Sequence, residues 1–368
     1  MNLPPLDPPA RILLGPGPSE ASPRVLRAQA LPLVGHLDPY FVQLMDETMN
    51  LLRQVFGTQN RLAIPVSGTG SAGMEAAFVN MLSPGDRVVV GVNGVFGERM
   101  CDVARRCGAQ VHRVEAEWGQ TLPLETIQSA LRQHRPQVLA LVHAETSTGA
   151  LQPLEGLSEA AGETGALLLV DTVTSLGGAP VEVDRNGIDI CYSGTQKCLS
   201  APPGLAPITF SEVALARLKS RSTRVQSWYL DMSMIEKYWG GERLYHHTAP
   251  ISAIYGLREA LAVVLEEGLE ARYLRHRRNA EMLWAGLEDL GLKLVVDRAR
   301  RIPSLTTVYS PDGVAEQDIR KKLLERYGIE IGGGLGPFKG RVWRIGLMGE
   351  SSTQRNILYL LAALRELL

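Results

Sequence analysis

The sequence predicts an α/β fold in which a mostly parallel central sheet forms a large domain and a smaller C-terminal α+β domain follows it. Three observations carry that expectation. Apolar runs of strand length occur at residues 62–66, 87–92, 138–142 and 166–170. The stretches 71–82, 96–107 and 154–164 space their apolar residues by three and four and often close near a glycine, the pattern of crossover helices. At 368 residues the chain also exceeds the roughly 150 residues of one ordinary domain, and its pattern changes near Gly268.

In chain order, a Pro-rich arm (residues 1–20, with Pro4, Pro5, Pro8 and Pro9) comes first, and the large domain is expected over 21–267. From 249 to 290 the pattern is helical, interrupted at Gly268, where the small domain (268–368) is expected to begin. Within it 292–296, 304–309 and 342–347 read as strands, and 352–367 as an amphipathic helix with Ile357, Leu360, Leu361 and Leu364 apolar. Arg272, Arg275, Arg277 and Arg278 read as a solvated helix face rather than a polyanion patch.

Composition removes several function classes. With 38 Lys plus Arg against 39 Asp plus Glu, the net charge of -1 gives no global field toward nucleic acid or an anionic membrane. Hydrophobic residues at 45% and charged residues at 21% are ordinary globular usage, which argues against disorder or a coiled coil. The four cysteines form no CxxC pair and are too few to staple the chain, so neither zinc nor an oxidising compartment is suggested. The first ten residues do not have the pattern of a signal peptide, and no run approaches the ~20 apolar residues of a membrane span. A cytoplasmic location is the expectation.

Ser67-Gly68-Thr69-Gly70-Ser71-Ala72-Gly73 follows a strand and opens a helix, so its amides and hydroxyls can cradle a phosphate at the positive helix end. The glycines also match GxGxxG, the dinucleotide fingerprint. That reading requires an acid at the end of the second strand, but 87–92 ends in Asn93-Gly94, and Asp86 lies at the opposite end. Ligands of open parallel sheets bind at the carboxyl edge, and there the run 166–170 ends at Asp171 while Lys197 lies in a small-residue loop after 188–192. A loop lysine is ordinarily solvated, and a strand-end Asp is ordinarily a turn or cap residue. A phosphate cradle, a carboxylate and a lysine in this order point instead to pyridoxal phosphate. The amine forms a Schiff base with the aldehyde, the carboxylate keeps the ring nitrogen protonated, and an aromatic face stacks on the ring.

On these and further motifs the chain resembles the class V, fold-type I, aminotransferases. Within them it is similar to the alanine-glyoxylate and serine-pyruvate (serine-glyoxylate) aminotransferases. The motifs are Leu14-Gly15-Pro16-Gly17-Pro18-Ser19, Ser67 to Ser71 with Glu75-Ala76-Ala77, and Asn93-Gly94-Val95-Phe96-Gly97. They continue with His143 to Leu151 and Gln152-Pro153-Leu154, then Val170-Asp171 and Ser175-Leu176-Gly177-Gly178. Ser193 to Lys197 with Ala201-Pro202-Pro203-Gly204, Tyr245-His246-His247-Thr248 and Arg344-Ile345-Gly346 complete them.

The resemblance implies that Lys197 is the Schiff-base lysine and Asp171 the partner of the pyridine nitrogen, with Val173 beneath the ring. It implies that Thr69, Gly70, Ser71 and Gln196 meet the phosphate, that Thr146 lies near the ring hydroxyl, and that Phe96 stacks where many relatives carry Trp. Position 71 is Ser where close animal relatives carry His. Tyr245 and Thr248 of the partner subunit would reach the phosphate, which implies a homodimer with shared sites. Arg344, in an apolar strand, has the fork geometry for a substrate carboxylate, and the resemblance gives it that role. His36 reads equally as a turn residue and is left outside the site.

The implied function is ping-pong transamination between a small amino acid, alanine or serine, and glyoxylate or pyruvate through Lys197. A ureidoglycine-glyoxylate aminotransferase would share the same core. A non-enzymatic binding relative of the fold is a third reading, against which the retention of Lys197, Asp171 and Arg344 together speaks. A cysteine desulfurase would need a cysteine in the C-terminal half, and none follows Cys198.

Overall fold

The computed structural model describes residues 3–368. Seven strands form the central sheet in the order Leu62–Ser67, Leu205–Phe210, Ile190–Tyr192, Leu167–Asp171, Val138–Val142, Arg87–Val92, Gln110–Glu115. All run parallel except Leu205–Phe210, which is antiparallel to both neighbours. Val138–Val142 and Leu167–Asp171 are buried at every residue, as helices on both faces of a parallel sheet require. Because the parallel strands share one direction, Ser67, Val92, Val142, Asp171 and Tyr192 all end at the same edge.

The crossover helices follow from local signals. Gly70–Met81 starts after Thr69, and Val95–Arg106 carries Glu98 in its first turn and Arg105 and Arg106 in its last, matching the helix dipole. Pro39–Phe56, which the sequence analysis does not single out, is capped by the Asp38 side chain on the Tyr40 amide and stopped by Gly57 in the left-handed region. It packs on Ile251–Glu267.

That helix ends at Gly268, whose φ of 83° and ψ of 134° break the helical path before Leu269–Asp289 resumes it. Beyond the break lies a second core, built on Trp284, Trp343, Ile345, Ile357 and Leu360, separate from the core of the large sheet. Leu14 belongs to this second core, and Ile12–Leu13 pairs in parallel with Ile329–Glu330, so the arm is built into the C-terminal unit. Leu305–Tyr309, Val342–Gly346 and Gly332–Gly333 form its antiparallel sheet.

Two expectations are corrected. Residues 292–296 are not a strand; Leu294 makes one isolated bridge to Val308 before the chain turns into Arg298–Arg300. Arg272 is not solvated but buried, because its position on the helix faces the large domain. Its guanidinium donates to the carbonyls of Gly177 (3.0 Å) and Cys198 (2.7 Å) and pairs with Glu267 (2.5 Å). Arg275 is half-buried on the same Glu267, and only Arg277 and Arg278 are exposed.

Candidate active site

At the carboxyl edge, Asp171 is 2% exposed, a position where an ionised carboxylate needs strong donors. It has two. The Val173 amide donates to Oδ1 and the Tyr192 hydroxyl to Oδ2, both at 2.8 Å. Burial pushes the Asp171 carboxyl up to about 6, against the pull of those two donors. Tyr192 has no precedent in the sequence reading, since a buried tyrosine in an apolar strand carries no signal of its partner.

Lys197 is half-buried in the loop after Ile190–Tyr192, and its amine contacts the carbonyl of Pro16. Burial, then the nearby positive charge of Arg344, brings the amine down to about 8; Cys198 and Asp171 oppose the shift. The arm lies directly over this amine: a Cβ on Gly17, at φ +109°, would sit 2.6 Å from Lys197 Nζ. Only glycine fits there. Ser19 ties the arm to the lysine loop, donating from Oγ to the Lys197 carbonyl at 2.7 Å and from its amide to the Gln196 carbonyl at 2.8 Å.

The cradle stands beside them. Thr69 and Ser71 are exposed at the start of Gly70–Met81, and Gly70 is buried against Val173, whose Cγ2 would be 3.0 Å from an added Cβ. The Gln196 Oε1 atom is buried without a hydrogen-bond partner. Arg99 Nη1 reaches Ser71 Oγ at 3.3 Å, and its guanidinium carbon lies 4.9 Å from the centre of the Phe96 ring. Thr146 Oγ1 pairs with Thr174 Oγ1 at 2.5 Å.

Arg344 is 8% exposed, with no salt bridge among the described residues; Nε donates to the Gly333 carbonyl (2.7 Å) and Nη1 to the Thr146 carbonyl (3.2 Å). Burial lowers the guanidinium to about 10. Glu145 acts in the opposite sense from a distance, but no carboxylate pairs with the guanidinium directly, and a buried cation whose direct partners are carbonyls is prepared for an anion. Tyr245 and Thr248 are exposed and make no hydrogen bond to the cradle within the chain among the described residues. The His36 ring lies 5.1 Å from that of Tyr245.

These residues fit pyridoxal phosphate. Asp171 is a buried carboxylate without a paired cation, Gln196 offers an unsatisfied polar atom at the cradle, and the Lys197 amine is half-buried and lowered to about 8, so that a substantial fraction is neutral at physiological pH. Among the described residues no cluster of three or more metal-ligating side chains occurs, and no helix is long and apolar enough to cross a membrane.

Comparison with known proteins agrees with this chemistry. The family model described as aminotransferase class-V matches residues 25–338. Among curated relatives, the alanine--glyoxylate aminotransferase of Callithrix jacchus is 46% identical, over 100% of this chain and 89% of that protein. The (S)-ureidoglycine--glyoxylate transaminase of Bacillus subtilis (strain 168) is 42% identical, over 98% of this chain and 91% of that one. Among solved structures, an alanine--glyoxylate aminotransferase from Nostoc sp. superposes with a TM-score of 0.98 at 53% identity, covering 100% of this chain and 97% of that chain.

Proposed function

The chain belongs to the class V aminotransferases, and from that premise we propose that it uses pyridoxal phosphate to move an amino group from alanine or serine to glyoxylate or pyruvate. The observation that carries this reading is the placing of three groups at one edge: the Lys197 amine, the Asp171 carboxylate and the buried Arg344, which no carboxylate among the described residues pairs directly. When bound, the cofactor supplies an aldehyde for amine exchange and a ring that withdraws electrons from the substrate Cα.

The remaining chemistry falls to the chain. Asp171, oriented by Val173 and Tyr192, holds a negative charge for the ring nitrogen. With an amine near 8, Lys197 can both take the Cα proton and return it at neutral pH. Its side chain is steadied by the arm, which also walls water away from the amine. Arg344 grips the carboxylate of donor and acceptor in turn, and its fixed Nε leaves the outer edge of the fork for a bidentate pair. Thr69, Gly70, Ser71 and Gln196 take the phosphate, Thr146 the ring hydroxyl, Val173 one ring face and Phe96 the other.

Tyr245 and Thr248 of the partner subunit complete the phosphate site in a homodimer. Supporting this are the exposure of Tyr245 at 62% and of its chain neighbour Leu244, and the further exposed apolar residues Leu31, Leu33, Leu37 and Tyr40. The domain division at residues 20 and 267 is supported by the break at Gly268 and by the two separate cores. Four buried, unpaired thiols favour the cytoplasm.

A second reading, (S)-ureidoglycine as donor, is favoured by the similarity to the B. subtilis transaminase. The test is a panel of alanine, serine and (S)-ureidoglycine as donors against glyoxylate and pyruvate. Turnover of alanine or serine supports the proposal. Turnover of ureidoglycine alone selects the second reading, and turnover of none rejects both.

A further inference from the structure

Glu145 is fully buried, and among the described residues no lysine or arginine forms a salt bridge with it. Ionised carboxylates are costly in such places unless every oxygen is met by a donor. Here Oε1 accepts from the Ser147 amide (3.0 Å) and hydroxyl (2.6 Å), and Oε2 accepts from the Phe96 amide (3.1 Å). The Gly97 amide also stabilises the charged form. Ser147 Oγ in turn accepts from the Val95 amide at 3.0 Å.

Those three amides are the open first turn of Val95–Arg106, a helix whose own N-cap, Gly94, has no side chain to satisfy them. The cap is supplied from a segment some fifty residues away in sequence. Gly94 makes room for it, since a Cβ there would lie 2.3 Å from Glu145 Cγ. The same first turn presents Phe96, and one turn later Arg99 covers that ring and reaches Ser71. On the other side of Glu145, the carbonyl of Thr146 holds Arg344.

We infer that Glu145 is a positioning residue for the cofactor: by gripping the Phe96 amide it fixes the stacking ring, with Arg99 behind it, over the Ser71 cradle. It touches neither substrate nor cofactor. The inference rests on the pyridoxal-phosphate reading above, and its test separates the two.

Apoprotein of the wild type, Glu145→Gln, Phe96→Ala and the double variant is titrated with pyridoxal phosphate by fluorescence quenching, and the visible circular dichroism of the bound cofactor is recorded. In Glu145→Gln an amide N–H faces the Phe96 N–H, so binding weakens by about 2- to 10-fold, the range of a lost aromatic contact, and the dichroic band shrinks. Phe96→Ala weakens binding comparably. The double variant is no weaker than the worse single, because both changes remove one interaction. Glu145→Asp keeps the charge but falls a methylene short of the Phe96 amide; it shows the same coupling and carries the test if the Gln variant does not fold. Unchanged affinity and dichroism in both Glu145 variants, or effects that multiply in the double variant, overturn the inference alone. A wild type that binds no pyridoxal phosphate overturns the cofactor reading and this inference with it.

Discussion

The most direct consequence of the site's electrostatics is that Lys197 of the apoprotein titrates near 8 instead of the usual 10.5 of a solvated lysine. Only the neutral amine attacks an aldehyde. At pH ~7.5 an amine with a pKa of about 8 is roughly a quarter neutral, whereas an ordinary one is about a thousandth neutral, a difference of some 200-fold in reactive fraction. Burial is the main cause, with Arg344 second and Asp171 acting in the opposite sense. Arg344→Leu therefore moves the midpoint up and Asp171→Asn moves it down, each by less than burial itself contributes. Apoprotein is mixed with pyridoxal phosphate between about pH 6.5 and 10, quenched with borohydride and analysed by peptide mass spectrometry for pyridoxyl-Lys197. Rates are normalised to an exposed lysine peptide run alongside, which cancels the titration of the aldehyde. A normalised rate that falls as pH rises, as the peptide's neutral fraction catches up, is expected. A ratio that stays flat to pH ~10, or shifts in the wrong direction in the two variants, refutes the assignment of a desolvated lysine between those charges.

Lys197→Ala keeps the fold and loses transamination, because the group that moves the proton is gone; steady-state turnover near the wild-type value rejects that role. Asp171→Asn keeps the Val173 and Tyr192 frame but removes the charge facing the ring nitrogen, so single-turnover loss of the Cα proton slows more than cofactor affinity falls; an unchanged proton-removal rate counts against it. Arg344→Leu removes a charge-assisted pair worth about 2 to 5 kcal/mol on truncation, so kcat/KM for an amino acid drops roughly 30-fold to several thousandfold. Its decarboxylated amine is spared, and Lys at 344 restores only part of the loss; a preference for the acid that survives in Arg344→Leu assigns the carboxylate elsewhere. Cofactor retention tracks dimerisation, and light scattering that finds a loaded, active monomer refutes the shared site.

The fold class and the meeting of the glycine turn, carboxylate and lysine at the carboxyl edge were legible because each rests on a local signal. Apolar runs gave the strands Arg87–Val92 and Val138–Val142, and a glycine-rich turn, a strand-end carboxylate and a loop lysine each announced themselves at short range. Even the small-domain helix Gln354–Leu367 was visible from its spacing. What escaped are contacts that join segments distant in sequence. Tyr192 reads as one more apolar strand residue until its hydroxyl is seen on Asp171. The stretch 292–296 has strand composition and bonds to the free edge of Leu305–Tyr309, but the chain turns into Arg298–Arg300 after a single bridge.

Arg272 shows why charge patterning failed where burial decides. Its neighbours Arg277 and Arg278 are exposed, so a run of arginines looked uniformly solvated. The helix places Arg272 on the opposite side, where its fork spans the Gly177 turn and the carbonyl next to Lys197. His276, one turn on, accepts from the Gly349 amide at Nε2 while its Nδ1 faces the Arg272 carbonyl, so the two residues link the lysine loop to the turn that follows the Arg344 strand. Burial drives His276 down to about 3, which keeps the ring neutral and its Nε2 an acceptor across the working pH range. Lys197 and Arg344 thus sit on separate cores but share one buried polar strut. Arg272→Met, which keeps the volume but not the five donors, leaves two buried carbonyls unmet, at about 1 to 3 kcal/mol each. It lowers the melting temperature and also shifts the Lys197 uptake profile, because the loop that sets the amine's burial is released. A variant that loses stability while its uptake profile stays at the wild-type midpoint would show that Arg272 holds the domains together without holding the lysine.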